Sequence, residues 1–303
     1  MNTFKTLMQR EWMQHRLGWM LLAGIPLALA ALGLGFGEIQ IGQEAQAPGA
    51  PLPTLVALVT MLASTLILFA IMALTSLFLV SGLPRRDHAD RSNEFWLSLP
   101  TGHASSLAAP MAMHLLVVPA AALVIGLAGG WLLSLLVVSR VASMGDWFAL
   151  PWAQLVPAVL AGLARLLAGL PLAVLWLSPL LLLVMLSTAL LRRWGLVALA
   201  VGLPIAHGIL SQAYGIGVVG DTLALLTDQA RRALFISGPL GESLTSGGGD
   251  GESIGQVLAA VPGWMASDLG TALAALATPA MLGVLLASAA GFALLVQWRR
   301  RSV

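Results

Sequence analysis

Long apolar runs alternate with short polar intervals along this chain of 303 residues. Each run is long enough to supply the roughly 20 apolar residues that cross about 30 Å of hydrocarbon. Within the runs polar and apolar positions do not alternate, as they would in the strands of a barrel, so the spans are predicted to be helices. The runs without a charged residue are 17–37, 45–84, 95–139, 166–191, 194–220 and 269–298.

Composition supports the same interpretation. Hydrophobic residues make up 58% of the chain and charged residues only 9%, against about 25% charged residues in a soluble domain. The absence of cysteine excludes disulfides, thiolate metal sites and thiol nucleophiles. The first apolar run follows a polar start and is expected to be retained as a span rather than cleaved. The sequence therefore predicts an all-α integral membrane protein.

Trimming the runs at their polar flanks gives one transmembrane domain, 1–303, with six transmembrane helices. A cytoplasmic loop is predicted at 84–106 and an outer segment at 216–268. The predicted spans are 17–37, 54–83, 107–139, 166–191, 194–214 and 269–298.

The distribution of basic residues predicts the orientation. With a cytoplasmic N-terminus, most of the 15 basic residues fall on the inner side, which places both termini in the cytoplasm. The apolar segment 147–164 is ambiguous. As a seventh span it would move Arg192 and Arg193 to the outside, so it is interpreted as a re-entrant or interfacial helix on the outer face.

The N-terminal segment 2–16 places apolar residues at helical spacing. This pattern predicts an amphipathic helix in the inner headgroup region. The alternative is a polar extension of the first span. The apolar positions are Phe4, Leu7, Met8 and Trp12.

The outer segment 216–268 predicts short lateral helices before the last span. Asp221 is expected to cap the first of these. Its apolar face is opposite the charged positions Asp228, Arg231 and Arg232. A glycine-rich break at 246–251 separates it from a second helix, which Ser253 and Gln256 are expected to begin as a capping box.

Motifs for chemistry on this chain are lacking. A phosphate-binding P-loop requires Gly-Lys, and the only lysine is Lys5, so any nucleotide is expected on another polypeptide. No spacing of histidines and acids predicts a metal site, and no cofactor or catalytic residue is assigned. The arginines are scattered at span ends, which does not favour nucleic acid.

Two histidines, His114 and His207, fall within predicted spans. They could line a substrate path or relay a proton. A neutral histidine bonded to a neighbouring helix is the plainer alternative. Gly126 and Gly130 form a GxxxG pattern, which favours a close helix contact.

The cytoplasmic loop combines charged residues with an apolar cluster that includes Phe95 and Trp96. Exposed aromatic residues with a polar rim are typical of a protein-binding surface. The same aromatic residues could instead anchor at the inner membrane interface. The sequence pattern leaves both interpretations open.

Two motifs carry a family resemblance. An Arg10-Glu11-Trp12 core precedes the first span, and Asp90-Arg91-Ser92-x-x-Phe95-Trp96-x-Ser98-Leu99-Pro100 follows the second. The chain thereby resembles permease subunits of bacterial type-2 ABC exporters. The resemblance implies a homodimer in the inner membrane that docks two copies of a cytoplasmic ABC ATPase, which binds the ATP.

The resemblance also implies roles for individual residues. An elbow helix would include Phe4, Leu7, Arg10, Glu11 and Trp12. A helix that couples to the ATPase would include Asp87, Asp90, Arg91, Phe95, Trp96 and Leu99.

The expected function is therefore export of an amphipathic or hydrophobic substrate, such as a peptide, a lipid or a small toxic compound. The chain itself is expected not to be an enzyme. One rival is a membrane scaffold or enzyme with a functional outer segment, and another is a secondary transporter that uses His114 and His207.

Overall fold

A computed structural model describes residues 3–38, 52–89, 102–235 and 254–301. The described residues form helices and contain no strand. Most of the predicted coupling residues lie outside the described part of the chain, namely Asp90, Arg91, Phe95, Trp96 and Leu99. The predicted glycine-rich break at 246–251 and the predicted cap residue Ser253 lie outside it too.

Nine helices are given labels here in chain order. The third contains a π-helical turn at Met113–Val117. The bounds are α1 Thr3–Phe36, α2 Leu52–Ala89, α3 His103–Val141, α4 Met144–Phe148, α5 Trp152–Leu191, α6 Gly195–Tyr214, α7 Val218–Leu234, α8 Ile254–Ala274 and α9 Pro279–Arg301.

Six helical stretches of the described chain are long and apolar enough to cross a membrane. This confirms the predicted all-α membrane fold. One stretch, Trp152–Tyr214, joins α5 and α6 through a tight turn at Arg192–Trp194. The others are Phe4–Phe36, Leu52–Arg86, His103–Val141, Ile254–Ala277 and Pro279–Arg301.

The separate re-entrant helix predicted at 147–164 is wrong. Residues from Trp152 onward belong to α5, which continues for 40 residues to Leu191 and is about 60 Å long at 1.5 Å per residue. Arg165 lies within this helix, and its buried side chain is paired with Asp268 and with the Ala233 carbonyl.

The predicted last span, 269–298, is also divided differently. Helix α8 ends at Ala274, and α9 begins at Pro279 after a short 3-10 turn. Thr278 is extended, with φ −90° and ψ 151°. Proline disfavours a helical conformation in the residue before it, which explains the break.

The N-terminal segment is helical as expected but is not a separate element. Helix α1 runs without interruption from Thr3 to Phe36, so the alternative of an extension of the first span describes it.

The predicted cap of α7 is shifted as well. The N-cap is Gly217, and Asp221 lies in the first turn, where a carboxylate still favours the helix dipole.

Helices α8 and α9 follow α5 in the same direction. Leu258 packs in one cluster with Leu155 near the start of both helices. Further along, Ser178 and Ser288 share a hydrogen bond of 2.6 Å, and Gly291 lies against Leu182. The broken pair α8–α9 therefore lines α5 along most of its length.

Both ends of the described chain lie at one end of the bundle. Arg10 near the start and Arg299 near the finish line the same small crevice as Arg86. The Thr188 hydroxyl donates to the Ser81 carbonyl at 2.6 Å, which brings the nearby Arg192–Trp194 turn to this end too. We call this the basic end. Arg140 lies at the opposite end, where it donates to the carbonyls of Leu34 and Gly35.

Candidate functional site

The first candidate site lies at the basic end, where α1, α2 and α3 meet. Glu11 of α1 is 1% exposed, and its carboxylate accepts two hydrogen bonds from Arg86 of α2. Nη1 donates to Oε2 at 2.9 Å and Nη2 to Oε1 at 2.7 Å. Nη2 also donates to Oε1 of Gln14 at 2.6 Å. We call this cluster the Glu11 junction.

His114 completes the Glu11 junction from α3. Its side chain is fully buried, and its Nε2 lies 3.4 Å from Oε2 of Glu11. The ring packs edge-on against His15 and Trp19 of α1, with ring centroids 5.5 and 5.6 Å apart respectively. His114 belongs to the π-helical turn, a feature that is rare in helices and frequent at functional sites.

The spacing along α1 produces this cluster. Glu11, His15 and Trp19 are four residues apart, so their side chains stack on one helical face. Leu7, one turn earlier, is buried on the same face. Phe4 and Trp12 of the predicted elbow are exposed instead, at 37% and 43%, as expected of side chains that face lipid.

The electrostatics of the Glu11 junction explain its geometry. A carboxylate buried this deeply needs a charged partner and further hydrogen bonds to offset its lost hydration. The bidentate arrangement with Arg86 supplies both and fixes the relative orientation of the two side chains. The N-terminal helix is thus joined to the last turns of α2, directly before 90–101.

A second buried cluster surrounds Arg165 of α5. Its Nε donates to Oδ2 of Asp268 in α8 at 2.8 Å. Its Nη1 donates to the Ala233 carbonyl at 2.7 Å, and its Nη2 to the Arg232 carbonyl at 3.1 Å. These carbonyls lie at the end of α7, where helix carbonyls lack intrahelical partners. Arg165 therefore joins three helices.

Three charged side chains of α7 lie on the exposed face of this helix. Asp228 accepts hydrogen bonds from Arg231 at 3.0 Å and Arg232 at 2.7 Å, and all three side chains are exposed. The hydrogen bond from Arg231 is the main cause that lowers the pKa of Asp228 below its ordinary value. The apolar residues Leu226, Ala230 and Ala233 of the same helix are buried.

The two predicted path histidines have different surroundings. His114 packs against α1, whereas His207 is exposed and lies against Gly220 of α7. Among the predicted coupling residues, Asp87 lies in the last turn of α2.

Sequence reasoning missed several residues of these clusters, namely Gln14, His15, Arg86, Arg165 and Asp268. Their partners come from other helices, with Arg86 75 residues from Glu11 and Asp268 103 residues from Arg165. The available signal was an isolated charge between two apolar runs, as at Arg165.

No family model, curated protein or solved structure matches this chain. Its six long apolar helical stretches make it an all-α, multi-pass membrane protein.

Proposed function

We propose that this chain is the transmembrane subunit of an ATP-driven exporter of the type-2 ABC class. The observation that supports it most is the Glu11–Arg86 pair. This pair ties the N-terminal helix to the last turns of α2, directly before the segment 90–101 whose sequence resembles the ATPase-docking loop of that class.

The pair suggests how force would pass from an ATPase to the membrane helices. A partner that moves the 90–101 segment would pull on the end of α2. Because Arg86 is bonded to Glu11, α1 would move with it, and so would His114 and the start of α3. Packed helices with two arrangements are a common means of such switching.

The source of energy follows from what the chain can bind. With Lys5 as its single lysine, the chain has no P-loop. ATP binding and hydrolysis are therefore assigned to a separate cytoplasmic ATPase, in two copies beneath a dimer of this chain. The clustering of arginines at the basic end favours a cytoplasmic position for that end in the bacterial inner membrane.

The class of substrate is supported by an apolar cavity between α2, α3, α5 and α8. Its volume is about 290 Å³, and Thr65 is its only polar lining residue among those described. Leu62, Leu127, Leu163 and Val261 are typical of the rest. Such a lining suits the hydrophobic part of a lipid, a peptide or a small toxic compound.

The experiment is co-purification of this chain with the product of any adjacent gene that encodes a stand-alone ATPase. Phe95→Ala/Trp96→Ala is expected to abolish co-purification, because truncation of a buried interface aromatic typically costs about 2 kcal/mol or more. Phe148→Ala is the matched control, since Phe148 is 63% exposed and precedes α5 at the opposite end. Equal recovery of the ATPase with both variants would contradict the proposal.

A further inference from the structure

Three potential metal ligands converge at the Glu11 junction, on helices that the sequence separates by about 100 residues. Glu11, His15 and His114 each offer one oxygen or nitrogen atom, and the three atoms lie within 4.8 Å of one another. We propose that these three side chains bind a divalent transition-metal ion, with Zn²⁺ as the best match. This proposal does not depend on the exporter function.

The distances are close to those of a zinc site. Ligand atoms about 2.0–2.1 Å from a tetrahedral Zn²⁺ lie about 3.3 Å from one another. His114 Nε2 and Glu11 Oε2 are already 3.4 Å apart. A small movement of His15, which is only half-buried on the rim of α1, would bring its nitrogen to the same spacing.

The state of His114 points to a ligand. The side chain is fully buried, its Nδ1 has no hydrogen-bond partner within the described part of the chain, and its Nε2 has the 3.4 Å contact with Oε2 of Glu11. Buried polar atoms are almost always paired, and an exception calls for a specific reason such as an ion. A metal would occupy one nitrogen of a neutral imidazole. Two histidines and one glutamate, with a water, are a ligand set that zinc proteins use.

Arg86 makes the site conditional. Its Nη1 and His114 Nε2 approach the same oxygen, Oε2 of Glu11, whereas its Nη2 bonds Oε1 and Gln14. A metal on Oε2 would displace Nη1 and retain the contact with Nη2. The metal and Arg86 therefore compete for one carboxylate. The cation would loosen the link between α1 and the end of α2.

The competition gives the proposal a signature that a purely structural cluster lacks. Removing the guanidinium with Arg86→Gln frees Oε2 and lowers the positive charge beside the metal. This variant is expected to bind metal at least tenfold more tightly than the wild type. His114→Ala and His15→Ala are each expected to bind at least tenfold more weakly. His207→Ala, which changes an exposed histidine outside the cluster, is expected to bind like the wild type.

The test uses the full-length chain, purified in detergent and stripped of metal. Co²⁺ is titrated in, visible absorption reports tetrahedral coordination by nitrogen and oxygen, and Zn²⁺ is then used to displace it. The expected result is one Co²⁺ per chain in the affinity order given above. Because His114 is fully buried, His114→Ala could lose metal through misfolding, and His15→Ala tests the same site at a less buried ligand. Absence of stoichiometric binding, unchanged affinity in His15→Ala, or no gain in Arg86→Gln would overturn the proposal.

Discussion

Arg165 and Asp268 form a buried ion pair across 103 residues of sequence, with Nη2 and Oδ2 2.7 Å apart. The remaining donors of Arg165 reach the final carbonyls of α7. One guanidinium thus satisfies a carboxylate and a helix end together. Helices α5, α7 and α8 are therefore expected to respond as one unit when this pair is changed.

Replacing Arg165 with methionine is expected to destabilise the protein strongly. The variant keeps an unbranched side chain but removes the guanidinium that pairs with the buried carboxylate of Asp268, and breaking a buried ion pair from one side typically costs about 3–5 kcal/mol. Thermal unfolding in detergent measures the effect. Arg165→Met/Asp268→Leu is expected to recover part of the loss, because the pair is removed as a whole.

Arg231→Met is the matched control, since Arg231 pairs with Asp228 on the exposed face of α7. Its melting temperature is expected to fall only slightly below that of the wild type, because exposed pairs contribute little. If Arg165→Met has the same melting temperature as Arg231→Met, the buried Arg165–Asp268 pair does not hold α5, α7 and α8 together.

Gly169 permits the approach of α7 to α5. A methyl group there would clash with the Ala233 carbonyl and lie 2.6 Å from Nη1 of Arg165. Gly169→Ala is therefore expected to lower the melting temperature by several degrees, although alanine favours helices by about 1 kcal/mol over glycine. Gly162→Ala, two turns earlier on α5 with open space around it, is expected to be neutral or stabilising. Equal melting of both variants would argue against the close approach.

Most of the fold could be predicted from the sequence, because apolar length alone determines which segments can cross a membrane. The wrong helix boundaries occurred where the prediction depended on how a single charged residue or a single proline was interpreted. Arg165 was treated as a boundary, yet it is paired inside a continuous helix. Pro279 was placed inside a span, yet it begins one. A local pattern does not show whether a charge will find a partner on another helix.

The candidate site was less predictable for the same reason. Glu11 was assigned to the elbow from a family resemblance, and His114 to a path from its position in a span. Their mutual contact depends on the packing of α1 against α3 and on the π-helical turn. Neither has a periodic signature in the sequence.

Gly126 and Gly130 form a close contact between α3 and α2, as the GxxxG pattern predicted. A methyl group on either would lie 2.8 Å from a backbone Cα of α2, that of Thr65 or Met61. Gly126→Ala/Gly130→Ala is expected to lower the melting temperature by forcing these helices apart. Gly129→Ala is the control, because the atoms nearest to its methyl group would be those at the flexible end of Leu27 rather than backbone. A larger loss in the control would refute the backbone contact.

Asp228 is expected to give a small pH-dependent contribution to stability. Its pKa is lowered in the folded protein, chiefly by the hydrogen bond from Arg231. The contribution is therefore present above the ordinary carboxyl pKa of about 3.9 and is lost as the pH falls through the lower folded value. The difference in melting temperature between the wild type and Asp228→Asn should be constant from about pH 7 to pH 5. Below about pH 4 this difference should disappear. A difference that persists at acid pH would contradict this assignment.

The arrangement of the bundle predicts which loops share a side of the membrane. Ala104 and Ser143 flank α3, a helix of 39 residues that is about 58 Å long, so they are expected on opposite sides. Gln297, near Arg299 at the basic end, is expected on the side of Ala104. Because the chain has no cysteine, a single cysteine at each position can be labelled selectively in intact cells with a reagent that does not cross membranes.

Cysteine at Ser143, and at Gly248 in the predicted outer segment, should react from outside. Cysteine at Ala104 or Gln297 should react only after the cells are opened, because the basic end is expected in the cytoplasm. If Ala104 and Gln297 were labelled from opposite sides, the chain would have to cross the membrane an odd number of times between them. That result would contradict their common position at the basic end. Reversal of all four positions would leave the bundle intact. It would, however, place the 90–101 segment outside the cell, where no cytoplasmic ATPase could reach it.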